Sequence, residues 1–349
     1  MAKYYRIVNF DKKQYHNTFR FIDSFFALDL CLSHFVIPVC DDEENLSYMH
    51  RQWPRLTHRS KSPNSKLLSL PDELLCEVFR SMGVEDYYSA VLLCLADGRL
   101  LDIGFYEVQR LKKLTYADYA GDRIAFIGTP TLQDFLPYGV QALFEEQKAE
   151  FRRGKDNKDD KDEMDDECFF DMAQRTGMYK RAISDGEYSW KTETSYGEHD
   201  RKFRQLLNKL HHDEEAACSS LSSPGYWSPH PWVLCNISQG VYVRVDALAA
   251  LGNTQHYNTP FLPGRIRLDQ ALLVQICWSS DMVHYKGHEL DNGSGAGDRF
   301  EVTTVDRMRK DIEWEDISSM IVGILQEIYQ VEFGPSWRRE LRVKDSYFD

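Results

Sequence analysis

Two short runs, Gly121-Asp122-Arg123 and Gly297-Asp298-Arg299, hold residue types suited to gripping an anion. An Arg fork presents two parallel donors to a carboxylate or phosphate, so a duplicated pair would make a repeat-turn site of Asp122, Arg123, Asp298 and Arg299. The same residues also build turns. Gly permits a tight reversal, Asp accepts from nearby backbone amides, and Arg pairs with a carboxylate as a strand begins. The sequence favours the turn. His284-Tyr285-Lys286-Gly287-His288 has the i, i+4 spacing of two metal ligands on a helix, but Gly287 favours a loop, and no Glu follows the first His. The acidic run from Asp156 puts Lys158 and Lys161 where a calcium loop needs an oxygen ligand and a Gly. Asp291-Asn292-Gly293-Ser294-Gly295 lacks the Lys-Ser/Thr of a phosphate cradle. No Gly-x-Ser-x-Gly nucleophile elbow is present. The expectation is a non-catalytic chain with no metal and no cofactor.

The elements that must position these residues show an internal repeat. Tyr5-Arg6-Ile7-Val8-Asn9-Phe10-Asp11 and the following turn line up with Trp232-Val233-Leu234-Cys235-Asn236-Ile237-Ser238 and its turn, each reading as a strand, a polar turn and a returning strand. Ala120-Gly121-Asp122-Arg123-Ile124 then echoes Ala296-Gly297-Asp298-Arg299-Phe300. Asn9 lies 111 residues before Ala120 and Asn236 lies 60 before Ala296, an excess of 51 in the first copy. That excess matches a helical stretch, residues 67–113, read as an insertion. The expected fold class is α+β, with an N-terminal module over 1–140 containing the insert, a charged helical and flexible linker region over 141–225, and a C-terminal module over 226–349. The run Gly154 to Glu167 is too charged to bury, and Cys218 to Gly225 is a linker by composition.

Within the insert, Ser69-Leu70-Pro71-Asp72 predicts a helix start, with the Ser69 hydroxyl as cap, Pro71 in the first turn and Asp72 and Glu73 at the positive end of the dipole. Leu74, Leu75, Val78, Phe79 and Met82 follow at helical spacing, and Gly83 ends the run. Asp86 begins a second helix and a third starts near Leu100. Leu70-Pro71-x-Glu73-Leu74-Leu75-x-x-Val78-Phe79, the acidic Glu85-Asp86 and Val91-Leu92-Leu93-Cys94 together resemble an F-box, the three-helix module that docks to the adaptor subunit of SCF-type cullin-RING ubiquitin ligases. The resemblance implies adaptor binding through Leu70, Pro71, Leu74, Leu75, Val78 and Phe79, with the flanking modules holding a protein client. The alternative is a scaffold or interaction protein whose F-box-like helices have degenerated and serve no ligase. Tyr119 to Ile124, Ile276 to Asp281 and Gly297 to Phe300 also resemble a group of fungal proteins in which an F-box-like segment runs into an Ala-Gly-Asp-Arg strand.

Composition bounds the partners. A net charge of -13 with no basic stripe argues against nucleic acid and anionic membrane. The eight cysteines show no paired spacing, as buried free thiols of an intracellular protein would, and no apolar run approaches a bilayer span. Cytoplasm or nucleus is therefore expected. Trp227, Trp232, Trp278, Trp314 and Trp337 make the C-terminal part aromatic-rich, as suits either a core or a recognition surface.

Overall fold

The computed structural model describes residues 4–15, 19–20, 25, 32–38, 46–47, 65–129, 131–153, 168–181, 218, 221, 228–253, 259–262, 266–279, 284–285, 288–289 and 293–339. The class is α+β. The chain divides into a sheet unit, residues 1–36, 119–183 and 228–349, and a helical unit, residues 37–118 and 184–227.

The sheet unit has ten paired strands among the described residues. In chain order these are β1 (Tyr4–Asn9), β2 (Gln14–Tyr15), β3 (Phe19–Arg20), β4 (Arg123–Gly128), β5 (Lys180–Arg181), β6 (Trp232–Asn236), β7 (Val241–Arg244), β8 (Cys277–Trp278), β11 (Asp298–Thr304) and β12 (Glu315–Asp316), with β9 (His284–Tyr285) and β10 (His288–Glu289) forming a separate hairpin. The main path runs β12-β7-β6-β11-β4-β1-β2-β5, while β3 joins β1 and β8 joins β4. This order mirrors itself about the β4–β11 pair. On one side β4 pairs antiparallel with β1, the first strand of a hairpin, and β2 takes β5 in parallel. On the other side β11 pairs with β6, also the first strand of a hairpin, and β7 takes β12 in parallel. Smaller contacts repeat as well: Phe126 pairs in parallel with Cys277, and Val302 forms a parallel bridge with Val36.

Alternating side chains of β1 and β4 supply the two faces. Val8, Phe10, Ala125 and Ile127 pack against Phe144 of α4 (Tyr138–Arg153) and against Phe169, Met172 and Ala173 of α5 (Phe169–Thr176). Gln147 of α4 reaches under this layer, donating to Phe10 O at 2.9 Å and accepting from the buried Tyr179 hydroxyl at 2.6 Å. The span 141–225, expected as a linker region, thus contributes α4, α5 and β5 to the sheet unit. The charge run that prompted that expectation, residues 154–167, lies outside the described residues. Where the C-terminal half covers the sheet, Trp232 and Trp337 are fully buried.

The helical unit packs α1 (Asp72–Arg80), α2 (Tyr87–Ala96) and α3 (Gly98–Tyr116) around Leu75, Phe79, Val91, Cys94, Leu101, Phe105 and Val108. Ser69 does not cap α1 as expected; its hydroxyl donates backward to Lys66 O at 2.7 Å, and the N-cap is Pro71. The start of α1 is held from α3 instead. The Arg99 guanidinium donates to Leu68 O at 2.6 Å, to Leu70 O at 2.9 Å and to Asp72 Oδ1 at 2.8 Å, while the Asp97 carboxylate caps α3 by accepting from Arg99 N at 2.9 Å. The Asp86 side chain accepts from Gly83 N at 3.2 Å and does not cap α2. Remaining helices are α6 (Val245–Gly252), α7 (Leu268–Ile276) and α8 (Ser318–Phe333) in the sheet unit. Among the described residues, no helix is long and apolar enough to cross a membrane.

Two helical glycines give opposite expectations. A Cβ on Gly104 would meet Phe79 Cζ at 2.3 Å, whereas one on Gly323 of α8 meets nothing within 4 Å. Gly104→Ala should destabilise the protein by about 1–3 kcal/mol through overpacking, and Gly323→Ala should stabilise it by about 0.5–1 kcal/mol through helix propensity. Urea unfolding of the two variants beside the parent chain measures both.

Candidate functional site

The duplicated turns converge at the centre of the sheet. Antiparallel pairing of β4 with β11 sets Arg123 opposite Arg299 and Ile124 opposite Asp298. Both turns reverse through a left-handed glycine, Gly121 at φ 82° and Gly297 at φ 85°, a backbone region that a side chain disfavours. Each glycine amide donates across the pair at 2.7 Å, Gly121 N to Phe300 O and Gly297 N to Ile124 O.

An asparagine latches each turn. The buried Asn9 Nδ2 donates to Asp122 Oδ2 at 2.8 Å, and the buried Asn236 Nδ2 donates to Asp298 Oδ2, also at 2.8 Å. Their Oδ1 atoms accept from the amides of the hairpin turns: Lys12 N at 2.9 Å in one, Ser238 N at 3.1 Å and Gln239 N at 3.2 Å in the other. The carboxylates therefore serve as acceptors for asparagine, and asparagine meets the backbone amides that the sequence reading had given to aspartate. Asn9 and Asn236 were missed as functional positions, although both copies of the repeat carry Asn at that place.

The two copies diverge two residues after the asparagine. Asp11 accepts from Arg123 N at 2.8 Å, where Ser238 accepts from Arg299 N at 3.0 Å. Asp11 is thus the carboxylate between two guanidinium groups, 2.8 Å from Arg123 and 3.0 Å from Arg299. Lys12 Nζ lies 3.6 Å from Asp122, and Gln239 Nε2 donates to Asp298 at 2.7 Å in the corresponding position. The structure brings Asp122, Arg123, Asp298 and Arg299 together, with both Arg forks directed to a carboxylate of the chain itself. Chemically this is a joint between strands.

The other sequence candidates lie apart from the joint. His284 and His288 belong to β9 and β10, facing strands of a hairpin, so the helical ligand spacing does not apply. Among the described residues no cluster of three or more His, Cys, Asp or Glu could hold a metal ion. The glycine run closes on α7, where Gly293 N donates to Cys277 O at 2.7 Å and Gly295 N to Gln275 O at 2.9 Å. Among the described cysteines, burial raises the thiols of Cys94, Cys235 and Cys218, the last to about 12.

In the helical unit the six positions expected to meet an adaptor divide between the core and the surface of α1 and its entry. Leu75 and Phe79 are buried in the three-helix core, with 1% and 0% of their surface exposed. Leu74 is 51% exposed and Pro71 is exposed, and Leu70 and Val78 are half-buried beside them. Positions 71, 74 and 78 follow the outer stripe of one helix. No family model, curated protein or solved structure matches this chain.

Two measurements check the joint. Replacing either latch removes a donor from a carboxylate and strands at least one turn amide, so Asn9→Ala and Asn236→Ala should each cost about 1–3 kcal/mol of stability. Burial raises Asp298 above its ordinary 3.8, against the opposing hydrogen bonds from Asn236 and Gln239. A carboxyl that is raised on folding binds its proton more tightly folded than unfolded, so stability falls as pH climbs from the unfolded value through the folded one. Asp298→Asn keeps an acceptor for both donors and removes this slope. Its Tm relative to the parent chain should rise over that acid window and level off toward neutral pH.

Proposed function

We propose that this chain is a non-catalytic docking protein in which the helical unit acts as an F-box toward the ligase adaptor and the sheet unit holds a protein client. The observation that carries the reading is the division of α1. Arg99 fixes the Leu68–Asp72 entry from behind, Leu75 and Phe79 anchor the helix inward with Leu70 packed against the same core, and Pro71, Leu74 and Val78 remain on an outer stripe. A core helix of a closed domain would not leave Leu74 half in water beside an exposed proline. An exposed apolar stripe on a rigid three-helix support is the form expected of a surface that buries its anchors in a partner.

A second reading, a scaffold with degenerate F-box helices, draws on the commitment of Leu75 and Phe79 to the chain's own core and on the packing of Leu70 against it, which leaves three of the six motif positions for a partner. The two readings separate in one experiment. The purified full chain should capture purified ligase adaptor, and Leu74→Asp should weaken capture at least about tenfold while leaving the Tm unchanged, as expected of an exposed anchor. Phe79 is unsuitable as the test position because its loss would unfold the unit. Failure of the intact chain to bind the adaptor selects the scaffold.

A further inference from the structure

Among the described residues, four Ser or Thr side chains stand three positions before a carboxylate: Ser69 before Asp72, Thr115 before Asp118, Thr131 before Asp134 and Thr303 before Asp306. Burial separates them. Thr131 and Thr303 are 0% and 3% exposed, and the half-buried Thr115 lies inside α3 with its hydroxyl donating to Leu111 O at 2.8 Å. Ser69 is the exposed one of the four, and it precedes α1 instead of lying within a helix. Turn bonds hold it. The Ser69 hydroxyl donates to Lys66 O at 2.7 Å, Ser69 N to Ser65 O at 3.2 Å and Leu70 N to Leu67 O at 3.1 Å. The bond from Leu75 N to Pro71 O, at the head of α1, lies beyond them, so this turn can open to an enzyme without unwinding the helix.

From Ser65 to Glu73 the charged side chains are Lys66, Asp72 and Glu73, and Arg99 reaches the same entry from α3. Arg99 is committed to Leu68 O, Leu70 O and Asp72. Asp72 nevertheless keeps 65% of its side-chain surface exposed, and Glu73 is exposed. Two accessible carboxylates thus follow the hydroxyl by three and four residues, against one lysine three residues before it. A protein kinase with lysines and arginines where those carboxylates land in its substrate groove would select this serine.

We propose that Ser69 is the acceptor of an acid-directed protein kinase, and that its phosphorylation closes the outer stripe of α1 to the adaptor. The first half stands apart from the F-box reading, and the second rests on it. Ser69 Oγ attacks the γ-phosphorus of kinase-bound ATP. The Oγ–P bond forms as the bond to the β–γ bridging oxygen breaks, the hydroxyl proton passes to a carboxylate of the kinase, and ADP leaves. The phosphoserine carries a charge of about -1.5 to -2 two residues before Pro71, and its ester oxygen has no proton left for Lys66 O. Burying Pro71, Leu74 and Val78 in a partner would then require desolvating this charge beside Asp72 and Glu73.

The full chain is treated with ATP and a purified acid-directed kinase, or with a basic-directed kinase that would read Lys66, and the modified residues are located by mass spectrometry. The acid-directed enzyme should modify Ser69, more slowly in Glu73→Gln, and the Ser69→Ala variant should lose that label. Phosphorylation should leave the Tm unchanged, because Ser69 is exposed and outside the helices. Adaptor capture by the phosphorylated chain should fall at least about tenfold, while Ser69→Ala should capture as the untreated parent does with or without kinase. An unlabelled Ser69, equal labelling of Glu73→Gln, or faster labelling by the basic-directed kinase overturns the site. Undiminished capture after phosphorylation, or a loss of capture that comes with a fallen Tm, overturns the switch. If the untreated chain captures no adaptor, the F-box reading fails and the switch with it, while the Ser69 label still decides the site.

Discussion

Pairing of β4 with β11 joins the two halves of the sheet at a register that sets one arginine against another. Like charges directly opposite in an antiparallel pair repel, and here the repulsion lies at the centre of the sheet unit. Asp11 resolves it by sitting between Arg123 and Arg299 and giving each an oxygen. The hairpin turn after β1 is therefore coupled to the strand junction, and the Asn9 latch orients the same turn from the other side. The second half reproduces the latch with Asn236 and Asp298, and puts a serine hydroxyl where the first half has the bridging carboxylate.

This asymmetry has a physical logic. Two facing arginines need an intervening negative charge, and Asp11 supplies it from one half alone. Lys12 and Gln239 occupy the corresponding outer positions, the first as a cation near Asp122 and the second as a neutral donor to Asp298. Burial raises the Asp298 carboxyl above its ordinary range, against the hydrogen bonds it accepts from Asn236 and Gln239.

The helical unit follows a different rule. Its three helices close on one another because Gly104 lets Phe79 lie against the backbone of α3, and Arg99 ties the entry loop to the same helix. With the inner face of α1 fixed in this way, the remaining apolar residues of that helix have no place in the core.

The amino-acid pattern determined the α+β class, the three helices, the two strand-turn-strand segments and the glycine turns, because each depends on spacing within a dozen residues. It also placed Asn, Gly, Asp and Arg at the same points of both copies. Only the tertiary structure decided that Asn takes the backbone amides and Asp takes the Asn, that one Asp11 serves two arginines, and that Arg99 rather than Ser69 secures the start of α1. Apart from the asparagines' own turn amides, two or three residues away, these are contacts between residues 27 to 288 positions apart, fixed by strand register and helix packing. The F-box-like pattern likewise marked six apolar positions. Which of them point inward, Leu75 and Phe79 wholly and Leu70 in part, was set by the face of α1 that packs against α2 and α3.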